Sequence, residues 1–345
     1  GKQAQVVIAN PSGLICDGCG VINADRFTLT TGQAVMHQGY LDSFRVREGQ
    51  VTIEGKGLNG SLTPYTYIYT RALNVNAGLY ANELKTVLGQ NDINVQDQNS
   101  AKITATTSTT SSPTPSFALD VGKLGGMYAG KIYLVGTEKG LGVRNAGSLN
   151  ATTGQMRLNA DGELSNTGNM IANKDRILIQ ASNVKNSGNI SSTQHQIHIQ
   201  ADNIQNNGLI ATNDEIKLNA QGKIDNNNGV INAGRIDFTA HNLSNNKGKI
   251  EQTGQQQLNI GAKNLDNTQG LIGQATKESV GTGQSSGGTT SPSVTDPEQQ
   301  SSAQDSSTVE VAPTDLIPKT FEAGNIQIAQ DIANVEGAIV NNADI

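Results

Sequence analysis

A short phrase recurs eight times in this chain at a spacing close to 20 residues: an aliphatic residue, any residue, Asn, then Gly within two or three positions, and an aliphatic residue or Met two past the Gly. The Asn positions are Asn145, Asn166, Asn186, Asn206, Asn226, Asn245, Asn267 and Asn334, with one long gap before the last. A fixed period in this range signals stacked coils, because a unit this short can bury its apolar side only against copies of itself.

Each repeat also opens with an apolar, any, apolar triplet, as in Ile177 and Ile179, Ile197 and Ile199, Ile216 and Leu218, or Ile236 and Phe238. Two positions on, most coils place a small residue such as Ala181, Ala201 or Ala220. Period two fits a strand and not a helix. The corners fall at Asn and Gly, which tolerate positive φ at little cost. Leucine-rich horseshoes share the period but need more Leu per unit and usually a helix. The expected fold is therefore all-β, a parallel β-helix (solenoid) with about 20-residue coils and extra-helical hairpins or loops. The handedness rule for parallel crossovers makes it right-handed.

A lone coil buries too few aliphatic side chains to offset the entropy of ordering its backbone. Stacked about 4.8 Å apart, each strand satisfies its backbone groups on the coils above and below. The Asn column is then expected to form an internal amide ladder along the stack. A ligand site is the competing reading, and recurrence in every coil speaks against it, since a site is local.

Composition agrees with a long body and a thin core: 35% hydrophobic, 3% aromatic and no Trp. A net charge of -6 and a pI near 5.3 speak against nucleic-acid or anionic-membrane binding, which need basic patches. No run of 18 apolar residues is present to span a bilayer as a helix, and no secretory signal peptide opens the sequence. Gly1 leads straight into a strand-like run and Ile345 follows the last repeat without a polar cap, so the chain reads as a segment of a longer protein.

Residues 1–130 are less regular but still β in character, with Val6 and Ile8, Phe27 and Leu29, Val51 and Ile53, and Leu73 and Val75 marking strands. Tyr65, Tyr67 and Tyr69 alternate with Thr66 and Ile68, which suggests a hairpin packed on the body. Residues 105–116 and 275–315 are rich in Ser, Thr and Pro and lack apolar content, so both are expected to leave the stack as disordered excursions. The repeat resumes in phase at Gly324.

Two blocks carry a family resemblance. The first is Ala9-Asn10-Pro11-Ser12-Gly13-Leu14, then Cys16-Asp17-Gly18-Cys19-Gly20 and Leu29-Thr30-Thr31-Gly32. The second runs from Phe117 through Leu124-Gly125-Gly126-Met127-Tyr128-Ala129-Gly130 to Gly142-Val143-Arg144-Asn145-Ala146-Gly147. Together they resemble the secretion domain of the two-partner-secretion exoproteins, which include filamentous haemagglutinin-like adhesins and the carrier proteins of contact-dependent growth inhibition. The later coils resemble that family's haemagglutinin repeats. The expected organisation is the C-terminal part of a secretion domain over 1–142, repeats over 143–273, a low-complexity insertion over 274–323 and a resumed repeat over 324–345.

The resemblance implies export across a Gram-negative outer membrane through a dedicated transporter whose periplasmic domains recognise the secretion domain, and a secreted or cell-surface location. Asn10, Pro11 and Gly13 match the family's Asn-Pro-Asn-Gly-Ile motif, in which this chain has Ser12 and Leu14. A tight turn and direct partner contact are both open readings of these residues. The family's earlier Asn-Pro motif and N-terminal cap do not occur in this sequence, so the segment is not expected to direct its own secretion. Cys16 and Cys19 are the only cysteines, and on a route through an oxidising periplasm a local disulfide is expected; free thiols, a redox role and zinc are the alternatives.

Many polysaccharide lyases and hydrolases share this architecture, so a carbohydrate-active enzyme is the alternative function. Such sites need carboxylates converging across adjacent coils. The outward column instead runs Tyr133, Arg157, Leu178, His198, Lys217, Asp237, Asn259 and Gln327, a solvated face with cross-coil pairs such as Lys217 with Asp237. His195 and His198 lack a neighbouring carboxylate in that column, and no catalytic residue, metal site or cofactor is expected. The expected role is a rigid stalk for adhesion or for contact-dependent delivery of a C-terminal toxin. Its partners are the transporter and a receptor on a host or neighbouring cell.

Overall fold

The computed structural model describes residues 4–95, 102–110 and 112–274, with strand backbone at 326–328, 332–333 and 338–340. Among the described residues every regular element is a strand and none is a helix. The alternation read from the sequence produces three parallel faces per coil. The first face stacks Ala4–Ala9, Ala24–Thr30, residues 65–70, 83–88 and 131–136, then Met156–Ala160, Ile177–Gln180 and Ile197–Ala201. The second stacks residues 14–17 and 51–54, Ala72–Val75, residues 119–121, then Gly142–Asn145, Glu163–Asn166 and Asn183–Asn186. The third stacks residues 58–60, 78–81 and 126–129, then Ser148–Ala151, Asn169–Ala172 and Asn189–Ser192.

Register is set by the inward columns. Ile132, Met156, Ile177, Ile197 and Ile216 pair rung to rung, as do Leu134, Leu158, Ile179, Ile199 and Leu218. All ten are buried. A one-residue slip would turn both columns to solvent, so apolar burial fixes the register. The strand at Ile326–Ile328 pairs with the coil before the long gap, Ile260 opposite Ile326, and Ile339 pairs with Ile272. Beyond Gln274 the insertion placed at 274–323 lies outside the described residues, and so does Asn334.

Three local expectations need correction. Tyr65, Tyr67 and Tyr69 are not on a hairpin: they sit on the first face, with Thr66 and Ile68 turned into the core and the tyrosines outward. Alternation of aromatic with small residues looks the same for a coil strand whose outer side is covered. The extra-helical sheet is instead antiparallel and built from Gln33–His37, Tyr40–Val46, Asn91–Asn94 and Lys102–Ala105. It leaves the stack between the first and second faces and packs Phe44, Val46 and Ile93 over Tyr69 and Val87.

Residues 105–116, expected to be disordered, are held where they are described. Ser108 N donates to Gln90 Oε1 at 2.7 Å, Arg71 Nη1 to Thr110 Oγ1 at 3.3 Å, and Ser112 Oγ to Glu48 Oε2 at 2.6 Å. Short polar side chains, useless for an apolar core, serve here as hydrogen-bond partners for the body's polar corners.

The repeat glycines also differ from expectation. Between 147 and 270 none has positive φ. Their constraint is space: a Cβ at Gly168, Gly188 or Gly208 would overlap the carbonyl oxygen of the glycine one coil earlier. Positive φ falls on Asn228, Lys247 and Gln269, at 58°, 54° and 54°. Those are the corners where Asn and Gly stand three residues apart instead of two, and the extra residue takes the left-handed bend.

Candidate functional site

The secretion-motif residues form one corner between the first and second faces. Ser12 N donates to Asn10 Oδ1 at 3.2 Å, and Gly13 N donates to the Asn10 carbonyl at 3.0 Å, closing a four-residue turn. Gly13 has φ 123°, and a Cβ there would lie 3.0 Å from the Gln50 carbonyl oxygen. Asn10, Pro11 and Ser12 are exposed, so the turn presents its side chains while its backbone caps the corner. Ile15 and Ile22, nearby in sequence, are 73% and 77% exposed.

Cys16 and Cys19 are joined as a disulfide across the next corner. Cys16 is buried opposite Ile53, Cys19 stands opposite Leu58, and the register shifts between them. Asp17 Oδ1 accepts from Lys56 N at 2.8 Å. The bridge therefore spans a bend where the ladder itself is interrupted.

The Asn column lies at the inner end of the second face. Asn145 Nδ2 donates to Asn166 Oδ1, Asn166 to Asn186, Asn186 to Asn206, Asn206 to Asn226, Asn226 to Asn245 and Asn245 to Asn267, all at 2.7–2.8 Å. Each of these donors also reaches a backbone carbonyl, such as Asn169 O at 3.1 Å from Asn145. In the preceding coils the same column holds Ile53, Val75 and Val121. Asn145 is the first rung, and its Oδ1 is buried without a donor.

Sequence reasoning missed an ion pair at the corner after the first face. Arg71 donates to Glu138 through Nη2 at 2.7 Å and Nε at 3.1 Å, with side chains 6% and 18% exposed. The carboxylate beside Arg71 raises its pKa, burial notwithstanding. Arg71 and Glu138 are far apart in sequence, and only the coil stacking brings them together. Thr137 Oγ1 donates to Asn91 Oδ1 at 2.7 Å, tying the same corner to the extra-helical sheet.

Farther along the stack, Lys217 pairs with Asp237 at 3.1 Å and Arg235 with Glu215 at 3.4 Å. His198 faces outward between Leu178 and Lys217, and burial, then the Lys217 charge, lower its pKa. An open groove of 490 Å³ runs along corners 196, 213–215, 234–235 and 254–256 and is lined by polar side chains and glycine. Among the described residues no group of three His, Cys, Asp or Glu is placed to hold a metal ion.

Residues 1–166 match the family model of the TPS secretion domain. Over 168 residues the chain is 48% identical to "Toxin CdiA" of Yersinia pestis. Its first 166 residues are a two-partner-secretion domain. The chain is also 44% identical over 165 residues to "16S rRNA endonuclease CdiA" of Enterobacter cloacae. These matches cover 49% and 48% of this chain and 5% of each relative, so the chain spans a small part of the length of the proteins it resembles. A crystal structure of the filamentous hemagglutinin secretion domain aligns over 56% of this chain and 65% of its own, at 25% identity and a TM-score of 0.50. The parallel β-helix of this chain thus matches the fold of the filamentous hemagglutinin secretion domain.

Proposed function

We propose that this chain is the secretion domain and opening stalk of a carrier that delivers a C-terminal toxin to a neighbouring cell. What carries the reading is the matched length: relatives whose names are toxin and nuclease share this region at 44–48% identity, and the shared part is 5% of each. The toxic activity then belongs to sequence far from these coils, and the coils themselves act as a non-enzymatic shaft. The polar, paired outer column supports this role, since Lys217 with Asp237 neutralises the place where convergent carboxylates would be needed.

Export runs through a dedicated outer-membrane transporter of the two-partner type, and the chain is displayed at the surface of a Gram-negative cell. The turn of Asn10, Pro11 and Gly13, with Asn10 and Pro11 exposed, is the segment offered to the transporter's periplasmic domains. The local Cys16–Cys19 bridge closes so small a loop that the chain can pass a narrow pore with it formed. We place the boundary between secretion domain and stalk at residues 142/143, where the inner column changes from Val121 to Asn145.

An adhesin is the second reading, favoured by the likeness to the filamentous hemagglutinin secretion domain. Competition between the parent cell, with and without the full-length gene, and a related strain lacking any immunity partner separates the two. Loss of killing on deletion supports the carrier. Unchanged killing with lost adhesion to host cells contradicts it.

A further inference from the structure

We propose that the outer side of the first face, along Tyr67, Lys85, Tyr133 and Arg157, binds an acidic polysaccharide that carries one carboxylate on every second sugar. These four residues occupy successive rungs of one outward column. Rungs are about 4.8 Å apart, which places Lys85 and Arg157 roughly 10 Å from each other with a tyrosine ring between. Lys85 Nζ lies 5.9 Å from the Tyr67 ring centre and 5.7 Å from that of Tyr133. One row over, the Arg26 guanidinium sits 4.9 Å from the Tyr67 ring and 5.7 Å from Tyr65. Cation and ring therefore alternate along a rigid parallel sheet.

Charge selects the ligand. Among the described residues Arg26, Lys85 and Arg157 have no carboxylate in ion-pair reach, and the one acid in the adjoining row, Glu83, pairs with Lys131 at 3.6 Å. Arg26 Nε and Arg157 Nε are buried without a hydrogen-bond acceptor. Burial, and then the Arg26 charge, push the Lys85 pKa down. A carboxylate arriving between these groups would relieve that repulsion. The contrast within the same column is informative, because farther along Lys217 is already neutralised by Asp237. Only the head of the column is left cationic, in a chain whose net charge is -6.

Spacing selects the polymer. The tyrosine hydroxyls can hydrogen-bond sugar hydroxyls, and a cation on alternate rungs matches an acid on alternate rings. A nucleic acid carries a charge at every step and calls for a denser basic track. An anionic membrane calls for clusters of about four to eight lysines or arginines close together. An extended acidic polypeptide places same-side carboxylates about 7 Å apart, short of the roughly 10 Å between these cations.

The test titrates the whole chain with a hyaluronan dodecasaccharide, one glucuronate per disaccharide, at low and high salt. Saturable binding is expected, weakened several-fold by Lys85→Gln or Arg157→Gln, tenfold or more by both, and by added salt. Lys217→Gln should leave affinity unchanged, and a neutral chitin oligosaccharide should not compete. No binding, salt-insensitive binding, or equal loss with Lys217→Gln would overturn the proposal. Poly-glutamate or phosphatidylglycerol vesicles binding as tightly would overturn it in favour of those partners. The salt dependence of the unsubstituted chain decides the matter even if a variant melts early.

Discussion

Asn186 Nδ2 donates to Asn206 Oδ1 at 2.8 Å while also reaching the Leu209 carbonyl at 3.0 Å and the Gly188 carbonyl at 3.3 Å. One amide thus joins its own corner to two points of the next coil. Asn166 Nδ2 in turn donates to Asn186 Oδ1 at 2.7 Å, so the amide is donor on one side and acceptor on the other. Buried polar groups in such a chain are stabilising only while every partner is present.

Asn186→Ala should therefore cost far more than the loss of one hydrogen bond. It takes the Asn186 donor from the Asn206 and Leu209 oxygens in a dry interior, at about 1–3 kcal/mol for each orphaned group before relaxation, and leaves Asn166 Nδ2 with only its backbone acceptors such as Asn189 O at 3.2 Å. A loss of about 3 kcal/mol or more is expected in urea unfolding. Lys185→Ala next to it removes only an exposed pair with Glu163 at 2.9 Å, and should change stability by less than about 1 kcal/mol.

Gly188→Ala tests the close approach of backbones. Its Cβ would strike the Gly168 carbonyl, a group that cannot swing aside without breaking the ladder. Gly140→Ala is the control, because Gly140 has φ 81° but open space around it. The first should cost more than about 3 kcal/mol, the second about 1 kcal/mol. Comparable melting temperatures for the two variants would mean that space is not what the repeat glycine answers to.

How much of this was legible follows from what each residue senses. Ile197 and Ile199 report their own burial through alternation, so the coil, its parallel stacking and its columns could be read directly. The extra-helical sheet could not, because Phe44 and Ile93 cover Tyr69 from segments distant in the chain, and nothing local distinguishes a covered outer face from a hairpin. Thr110 and Ser112 looked unstructured because their partners, Arg71 and Glu48, lie in other coils. The Tyr67, Lys85, Tyr133 and Arg157 column is likewise invisible until register places those residues on neighbouring rungs.

Arg71→Ala should uncover the segment that this side chain holds. It leaves the Glu138 carboxylate partly buried and unpaired and releases Thr110, for a loss of about 3 kcal/mol. Limited proteolysis should then cut within residues 105–116 well before the coils are attacked. Removing both charges, Arg71→Ala with Glu138→Ala, should cost less than the single change.

Acid should weaken the fold at His198. Burial of the ring, then the Lys217 charge, hold its folded pKa below the ordinary value, with Glu215 and Asp237 opposing and Asn219 3.4 Å from its Nε2. A group with a depressed folded pKa contributes stability above its unfolded value of about 6.5 and loses it as the pH falls through the folded value. Melting temperature should therefore fall below about pH 6.5 more steeply for the parent chain than for His198→Gln. Parallel curves for the two would assign the acid sensitivity elsewhere.

The most direct test of coil-on-coil stacking as the basis of display is Ile199→Pro in the full-length exoprotein. Ile199 is buried and pairs in parallel with Ile179 on one side and Leu218 on the other, and Pro there removes a ladder N–H from an interior strand. Epitope tags placed in the exposed corner at Leu124 and beyond residue 345 would be read at the surface of intact cells. If each coil folds on the edge left by the one before, the first tag remains displayed and the second is lost. Equal display of both tags in the variant would contradict the account.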